Sequence, residues 1–400
     1  MKKSLEGFLM YELVVKKGQQ VTLSKVNGNL LINDNAELIA EESTIKVEGA
    51  IVVKGHFFCK GNLQAQSLEA RKGSGEILGN LELHHFAIVG NSLDIGGNFS
   101  CPDISVGNSL HIEVDVTAKT IKVGNKLRVG GAAKVETVKA GGIAKIFGRA
   151  TIGTLIVGGT AKLLDTAEIK ELKVGGVAKI AGGKIAVIKV GGALQVADEF
   201  EAEQIDVGGS ASFKAHAKVG NVEIGGNLTC ATDLKFRTID VGGGMSVEGN
   251  LMGESLKVGG IIKCGGKLTC EKRLVVGGQC KSTLTIKAKE IDVNKKIDAP
   301  TIVAQFFKLR RRGTAIGTIV AKNVIIGSRA TIEDVFGEEI LLEEYSKANN
   351  LYGANISLEE GVKVTGEILY QTSLYQDSTT SIKTPPKQVQ QLPPPFGAEQ

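Results

Sequence analysis

The feature that most constrains this chain is a pair of glycines, or a glycine followed by asparagine, that returns about every 17 residues. Successive pairs are 17 residues apart, except for 16 before Gly191 and 18 before Gly277. A repeat this regular predicts a solenoid, in which each coil packs only on the coils next to it. The first glycines of the pairs are Gly90, Gly107, Gly124, Gly141, Gly158, Gly175, Gly191, Gly208, Gly225, Gly242, Gly259 and Gly277.

Apolar residues fill six fixed positions in each repeat and alternate with polar residues. Period-two alternation places the six on one face of three short strands, with the intervening Lys, Glu, Thr and Ser facing outward. Equivalent strands of successive coils then stack about 4.8 Å apart in parallel ladders. The predicted fold class is all-β: a single-stranded, three-sided parallel β-helix (β-solenoid) with about 17 residues per turn. In the repeat around Gly141 the six residues are Val138, Ala140, Ala144, Ile146, Ala150 and Ile152.

The glycine pairs are expected at one corner of each coil. A chain that reverses direction within two residues often needs a positive φ, which residues with a Cβ resist. We therefore expect a left-handed backbone conformation at these glycines.

The same alternation, less regularly spaced, extends the predicted solenoid to residues 21–370. Residues 1–20 precede it as an N-terminal cap or a short tail. Residues 371–400 are rich in Pro and Gln and have little to bury, so they are predicted to form a disordered tail.

The composition bears on the compartment and on the partners. Six cysteines in 400 residues, without a recognisable secretory signal, favour free thiols in a reducing cytoplasm. No stretch approaches the roughly 18 to 20 apolar residues that a membrane-spanning helix needs. The net charge of +5 does not indicate a nucleic-acid binder. We therefore expect a soluble, cytoplasmic protein.

The repeats resemble those of the bactofilins, a family of polymer-forming cytoskeletal proteins. The stretches Val207-Gly208-Gly209-Ser210-Ala211 and Ile224-Gly225-Gly226-Asn227-Leu228 look like bactofilin rungs, and the resemblance covers roughly residues 21–370. It implies a right-handed helix that forms homopolymeric filaments without nucleotide and acts as a scaffold. It also implies a second interpretation of the N-terminus, as a segment that touches the inner face of the membrane through Lys2, Lys3, Phe8, Leu9 and Met10. Tails of this kind would contact an anionic membrane surface or cell-envelope proteins.

Other functions are predicted less well by the residues. The glycine pairs are followed by strands and not by helices, which argues against a nucleotide site, and no cofactor is expected. The cysteine spacings do not match a zinc site, and Cys230 and Cys264 fall on one inward column with Val247 between them, so packing is expected. A monomeric binding rod or surface adhesin is the alternative function. A hexapeptide-type acyltransferase comes third, because its turn has 18 residues and no histidine here has a general-base setting.

Charge is distributed unevenly along the repeats. Between Lys119 and Lys189 there are 14 basic and 4 acidic residues, whereas Asp198 to Asp240 contains 8 acidic and 4 basic residues. The basic stretch is either an ordinary solvated surface or a contact band for lateral filament association, anionic lipid or a polyanion. It has no interleaved aromatics for base stacking, so specific nucleic-acid binding is not expected. The residues of this predicted basic band are Lys122, Lys139, Lys145, Lys162, Lys173, Lys179 and Lys189.

Overall fold

A computed structural model describes residues 11–395. This part of the chain is all-β and forms a parallel β-solenoid of about 22 coils with about 17 residues in each, which confirms the predicted fold class. It divides into two compact units, one that ends at Ala197 and one that begins at Asp198, and both consist of stacked parallel strands. No helix among residues 11–395 has the length and apolar character needed to cross a bilayer.

The strands of the first unit are β1 (Tyr11–Val15), β2 (Gln20–Leu23), β3 (Lys25–Val26), β4 (Asn29–Ile32), β5 (Ala36–Val47), β6 (Ala50–Val53), β7 (Phe57–Ala70), β8 (Gly75–Ile77), β9 (Leu81–Val89), β10 (Ser92–Ile95), β11 (Phe99–Val106), β12 (Ser109–Ile112), β13 (Val116–Val123), β14 (Lys126–Val129), β15 (Ala133–Ala140), β16 (Ile143–Ile146), β17 (Ala150–Val157), β18 (Thr160–Val174), β19 (Val177–Val190) and β20 (Ala193–Val196).

The strands of the second unit are β21 (Phe200–Val207), β22 (Ser210–Phe213), β23 (Ala217–Ile224), β24 (Leu228–Cys230), β25 (Leu234–Val241), β26 (Met245–Val247), β27 (Leu251–Val258), β28 (Ile262–Cys264), β29 (Leu268–Val276), β30 (Gln279–Ser282), β31 (Ile286–Val293), β32 (Lys296–Leu309), β33 (Thr314–Ile326), β34 (Val335–Leu342), β35 (Lys347–Ala348), β36 (Leu351–Leu358), β37 (Lys363–Val364), β38 (Ile368–Gln376), β39 (Ser381–Ile382) and β40 (Lys387–Gln388).

Each strand pairs in parallel with the equivalent strand of the next coil. Paired residues are 17 apart through most of the regular repeats, but 21 apart between β4 and β6 and 16 apart between β33 and β34. Leu110 in β12 pairs with Leu127 in β14, for example. The longer strand of each coil pairs in two segments. In β11 and β13, for example, the pairing is interrupted at Pro102 and Lys119. One short strand and two segments of a long strand give three ladders per coil. The three predicted sides are therefore present.

The core consists of columns of stacked aliphatic side chains. In one column Ala144 and Ala161 pair, and both are fully buried. In the next inward column Ile146 and Leu163 pair and are also buried. Small side chains beside larger ones fit a narrow interior, and each fully buried Leu or Ile contributes roughly 1.5 to 3 kcal/mol of stability.

The reason for glycine at the corners differs from the predicted one. The positive-φ glycines among residues 11–395 are Gly18, Gly61, Gly183, Gly317 and Gly361, and none of them is the first glycine of a repeat pair. The pairs are glycine because successive corners approach closely. A Cβ on Gly158, for instance, would lie 2.1 Å from the carbonyl oxygen of Gly141. The expectation of a left-handed backbone at these corners was therefore wrong; steric exclusion by the neighbouring coil is the reason.

Asparagine side chains join successive coils at a second corner. The Oδ1 atom of Asn62 accepts the backbone N–H of Asn80 at 2.8 Å, and that of Asn80 accepts the N–H of Asn98 at 2.7 Å. The ladder continues to Asp115, whose Oδ1 accepts the N–H of Ala132 at 2.7 Å. These bonds satisfy backbone donors at a bend where the strand ladders are interrupted.

Both ends of the solenoid differ from the predicted boundaries. Strand β1 already pairs with β4, so residues 11–20 belong to the coils and not to a separate cap or tail. In the predicted disordered tail, β38 continues to Gln376, and β39 and β40 pair with the coil before them. The polar side chains assist this pairing, because Gln388 Nε2 donates to the carbonyl of Gln371 at 2.9 Å. Backbone hydrogen bonding between strands needs no apolar side chains. The polar composition of this segment therefore did not indicate that it forms strands.

Candidate functional site

The basic band occupies two outward columns on the first unit. Lys145, Lys162 and Lys179 are direct cross-strand partners on β16, β18 and β19. The second column contains the remaining four lysines, with Ile156 in the place of a fifth. The structure therefore brings together all the predicted lysines, which are Lys122, Lys139, Lys145, Lys162, Lys173, Lys179 and Lys189.

The two columns flank the glycine corner because of their positions in the repeat. Lys139 lies two residues before the first glycine of its pair, Gly141, and Lys145 lies four residues after it. Each lies between inward-facing residues of its strand, so alternation points its side chain outward. The glycine pairs of the corner carry no side chains. Between them and the Lys145 column lies one outward column, formed by Ile143, Thr160 and Val177.

The charge of the band is largely uncompensated within the chain. Lys173 pairs with Glu171 at 2.7 Å, and this is the one ion pair that involves a band lysine among residues 11–395. Lys145 lies over the ring of Phe147, with Nζ 4.2 Å from the ring centroid. Like charges directly opposite each other on neighbouring strands are destabilising. Stacked lysines without internal partners therefore favour an external anionic partner over a purely structural role.

The first lysine column continues into a cluster of mixed charge. Arg128 precedes Lys145 in the column, and His111 precedes Arg128. Nε of Arg128 donates to Nε2 of His111 at 3.0 Å, while Oε1 of Glu113 lies 3.0 Å from the same nitrogen. Asp94 follows in the column, 3.6 Å from Nδ1 of His111. At its N-terminal end, the basic column is therefore followed by the carboxylates of Asp94 and Glu113.

The second unit carries an acidic counterpart that the sequence analysis did not identify. Asp206, Glu223 and Asp240 are cross-strand partners on β21, β23 and β25, and all three are exposed. Each lies two residues before the first glycine of its pair, the position that Lys122 and Lys139 occupy in the first unit. Reading that single position along the repeat would have revealed the ladder. The sequence analysis gave only the acidic excess of the segment.

The cysteines are packing residues. All six are buried and free, and Cys230, Val247 and Cys264 form one column, which confirms the predicted register. Burial raises the pKa of the Cys59 and Cys270 thiols to about 12, so both stay protonated near neutral pH. No group of three or more His, Cys, Asp or Glu side chains in the described chain is arranged to hold a metal.

The adjacent histidines meet other ionisable groups in one open groove on the first unit. Adjacent residues of a regular strand point to opposite faces, but His84 and His85 are both exposed because the pairing of β7 with β9 is irregular there. The groove has a volume of about 860 Å³ and is also lined by Glu69, Arg71 and Asp103. Glu69 is buried; its Oε1 is ion-paired with Arg71, and its buried Oε2 has no hydrogen-bond partner in the described chain. The groove is a weaker candidate than the band, because one cation already offsets the charge of this carboxylate.

The predicted membrane-touching residues Lys2, Lys3, Phe8, Leu9 and Met10 lie outside the described residues. Comparison with known proteins adds no assignment: no family model, no curated protein and no solved structure matches this chain. The function therefore has to be argued from the surfaces described above.

Proposed function

We propose that this chain is a non-enzymatic structural protein that self-assembles, without nucleotide, into filaments or scaffolds through the ends of its β-solenoid. This is the function that the resemblance to the bactofilins implies. The observation that carries the proposal is an open strand edge at the last full coil. Residues Ser373–Gln376 of β38 pair with β36 on one side. On the other side, β40 pairs only with Leu369 and Tyr370 within the described residues.

The core is incompletely covered at the same place. Leu374 continues the inward column of Ile340 and Ile356, whose side chains are each only 2% exposed. Leu374 itself is partly exposed, and its neighbour Tyr375 is 63% exposed. An additional coil placed on this edge would cover Leu374 and extend the parallel ladder.

Unpaired strand edges readily add further strands, and proteins that stay monomeric usually block them with charge, proline or a covering element. Residues Ser373–Gln376 include no charged residue and no proline; Pro393, Pro394 and Pro395 follow β40 and form no ladder with them in the described chain. A coil from a second copy would extend the parallel ladder and bury apolar surface in the same step. Assembly of this kind requires neither nucleotide hydrolysis nor a cofactor.

We place the protein in the cytoplasm, with itself as its main partner. Contact with an anionic membrane surface or with cell-envelope proteins through the tails is a further part of the proposal. A monomeric binding rod or adhesin is the second candidate, and the observation that favours it is the basic band, whose lysines lie on outward columns. The acyltransferase is a third, favoured only by the histidines in the open groove.

The test compares Leu374→Lys with Tyr375→Lys. Both add one positive charge to adjacent residues, but only Leu374 faces the column that a stacked copy would bury. Purified proteins without nucleotide are examined by sedimentation and negative-stain microscopy. We expect filaments for the wild type and for Tyr375→Lys, and a critical concentration at least about tenfold higher for Leu374→Lys, because burying an unpaired ammonium is costly. Matching unfolding midpoints would show that both variants fold.

Two results would refute the proposal. The first is a wild-type protein that stays as short, uniform particles at high concentration and low salt. The second is equal assembly of Leu374→Lys and the wild type, since the stacked edge could not then involve Leu374. Acetyl-CoA binding by the purified protein would favour the third candidate instead.

A further inference from the structure

Two ladders of opposite charge repeat with the same spacing on the two units. We name Lys145, Lys162 and Lys179 the basic ladder, and Asp206, Glu223 and Asp240 the acidic ladder. Each has one charge per coil over three consecutive coils, because its members are direct cross-strand partners. Successive charges in each ladder are therefore about one strand spacing, ~4.8 Å, apart.

Most of these charges have no partner within the described chain. Asp240 pairs with Lys257 at 2.7 Å, a contact between two exposed side chains. The other five ladder residues form no ion pair among residues 11–395, and both Asp206 and Glu223 are exposed. Like charges one strand spacing apart repel each other, so each ladder by itself is unfavourable. An opposite charge placed alongside would remove this repulsion.

We propose that the basic ladder of one copy binds the acidic ladder of a second copy, side by side. The common spacing lets the charges meet one to one without distortion of either solenoid. The glycine pairs near the basic ladder add no side chains, and the column between them and the ladder carries the uncharged residues Ile143, Thr160 and Val177. The partner surfaces differ, so the contact is heterologous and can be repeated from copy to copy.

A second copy fits these observations better than an anionic lipid surface or a polyanion. Either of those would neutralise the basic ladder but leave the acidic ladder without a partner. A copy of this chain presents both ladders with matching spacing. The inference extends the proposed self-assembly, which stacks coils end to end, by specifying the lateral contact.

Cross-linking of isotopically mixed protein tests the contact directly. Equal amounts of unlabelled and ¹⁵N-labelled wild-type protein are treated with a carbodiimide, which joins an ammonium to a carboxylate in direct contact. We expect mixed-isotope peptides that join the basic ladder to the acidic ladder, and their loss at 1 M salt, where the Debye length falls to about 3 Å. Two results would overturn the proposal: cross-linked ladder peptides in which both halves always carry the same isotope, or no cross-linked ladder peptides at all.

Charge exchange gives an independent test. Variant A carries Lys145→Glu, Lys162→Glu and Lys179→Glu, and variant B carries Asp206→Lys, Glu223→Lys and Asp240→Lys. Alone, each should associate laterally about tenfold or more weakly than the wild type at low salt, since three surface pairs are lost. Mixed together, A and B should recover lateral association. The unchanged acidic ladder of A can bind the unchanged basic ladder of B, and the new glutamates of A can bind the new lysines of B. Failure of the mixture to recover, or bundling by A alone, would contradict the proposal.

The matched control reverses three exposed lysines on other columns of the first unit, in the variant Lys134→Glu, Lys170→Glu and Lys184→Glu. It changes the net charge as much as variant A does, and it should bundle as the wild type does. A loss of bundling equal to that of variant A would mean that net charge alone controls association, which would refute the ladder contact. Failure of the end-to-end assembly is distinguishable, because it removes filaments while the mixed-isotope cross-links persist.

Discussion

The glycine corner provides the sharpest test of the packing, because one corner contains both a critical and a permissive glycine. A Cβ on Gly242 would lie 2.6 Å from the carbonyl oxygen of Gly225 in the previous coil. A Cβ on Gly244 would meet nothing closer than Asn227 Oδ1 at 3.4 Å, an ordinary contact distance. Neither glycine has a positive φ, so steric contact is what distinguishes them.

Gly242→Ala should therefore destabilise the protein by about 1 to 3 kcal/mol, the usual cost of overpacking when the obstacle is backbone that must shift. Gly244→Ala should be neutral, or stabilising by about 0.4 to 1 kcal/mol, because alanine restricts the unfolded chain without strain in the folded one. Urea unfolding followed by circular dichroism measures both changes. Equal effects of the two substitutions, or a larger loss for Gly244→Ala, would refute the close-approach explanation of the glycine repeat.

Three further predictions concern the coil junctions, one partly buried ion pair and the thiols. Asn80→Ala removes the acceptor for the N–H of Asn98 and should cost about 1 kcal/mol in urea unfolding; Asn80→Asp keeps an acceptor and should cost less, and the reverse order would contradict the ladder. Arg310 donates two hydrogen bonds to Asp292, at 2.9 and 2.7 Å, and lowers the pKa of Asp292. The stability that this pair adds to the folded protein is therefore present above the ordinary Asp pKa of about 3.9. It is lost as the pH falls through the lower pKa that Asp292 has in the folded protein. Asp292→Asn should lack this acid-dependent loss, and identical acid unfolding of variant and wild type would exclude it. The six buried thiols should resist a disulfide reagent at pH 8 and should all react in denaturant; rapid native labelling of two or more would contradict their burial.

Most of the fold could be predicted because the repeat carries redundant information. Each inward column is specified many times, as at Ala144, Ala161 and Ala178, so single exceptions do not obscure the register. The prediction of the C-terminal boundary failed because backbone pairing, and not the side-chain pattern, determines where the strands end. Strand β38 extends into a polar segment because its main chain can still pair with β36.

The candidate site could be predicted in part for the same reason. The lysine columns followed from register alone, since Lys145 and Lys162 hold equivalent positions in successive repeats. The edge at Ser373–Gln376, which has no second strand partner among residues 11–395, could not be predicted, because an alternating sequence does not indicate where strand pairing stops. The close approach of Gly141 and Gly158 was also hidden, because glycine suits both a left-handed turn and a crowded corner.

A cryo-electron microscopy reconstruction of the assembled protein, prepared without nucleotide, tests the central claim most directly. The proposal predicts that residues Ser373–Gln376 pair with a strand of the next copy at about 4.8 Å, with Leu374 covered. A filament in which this edge stays free, or a preparation that contains only single copies, would contradict it.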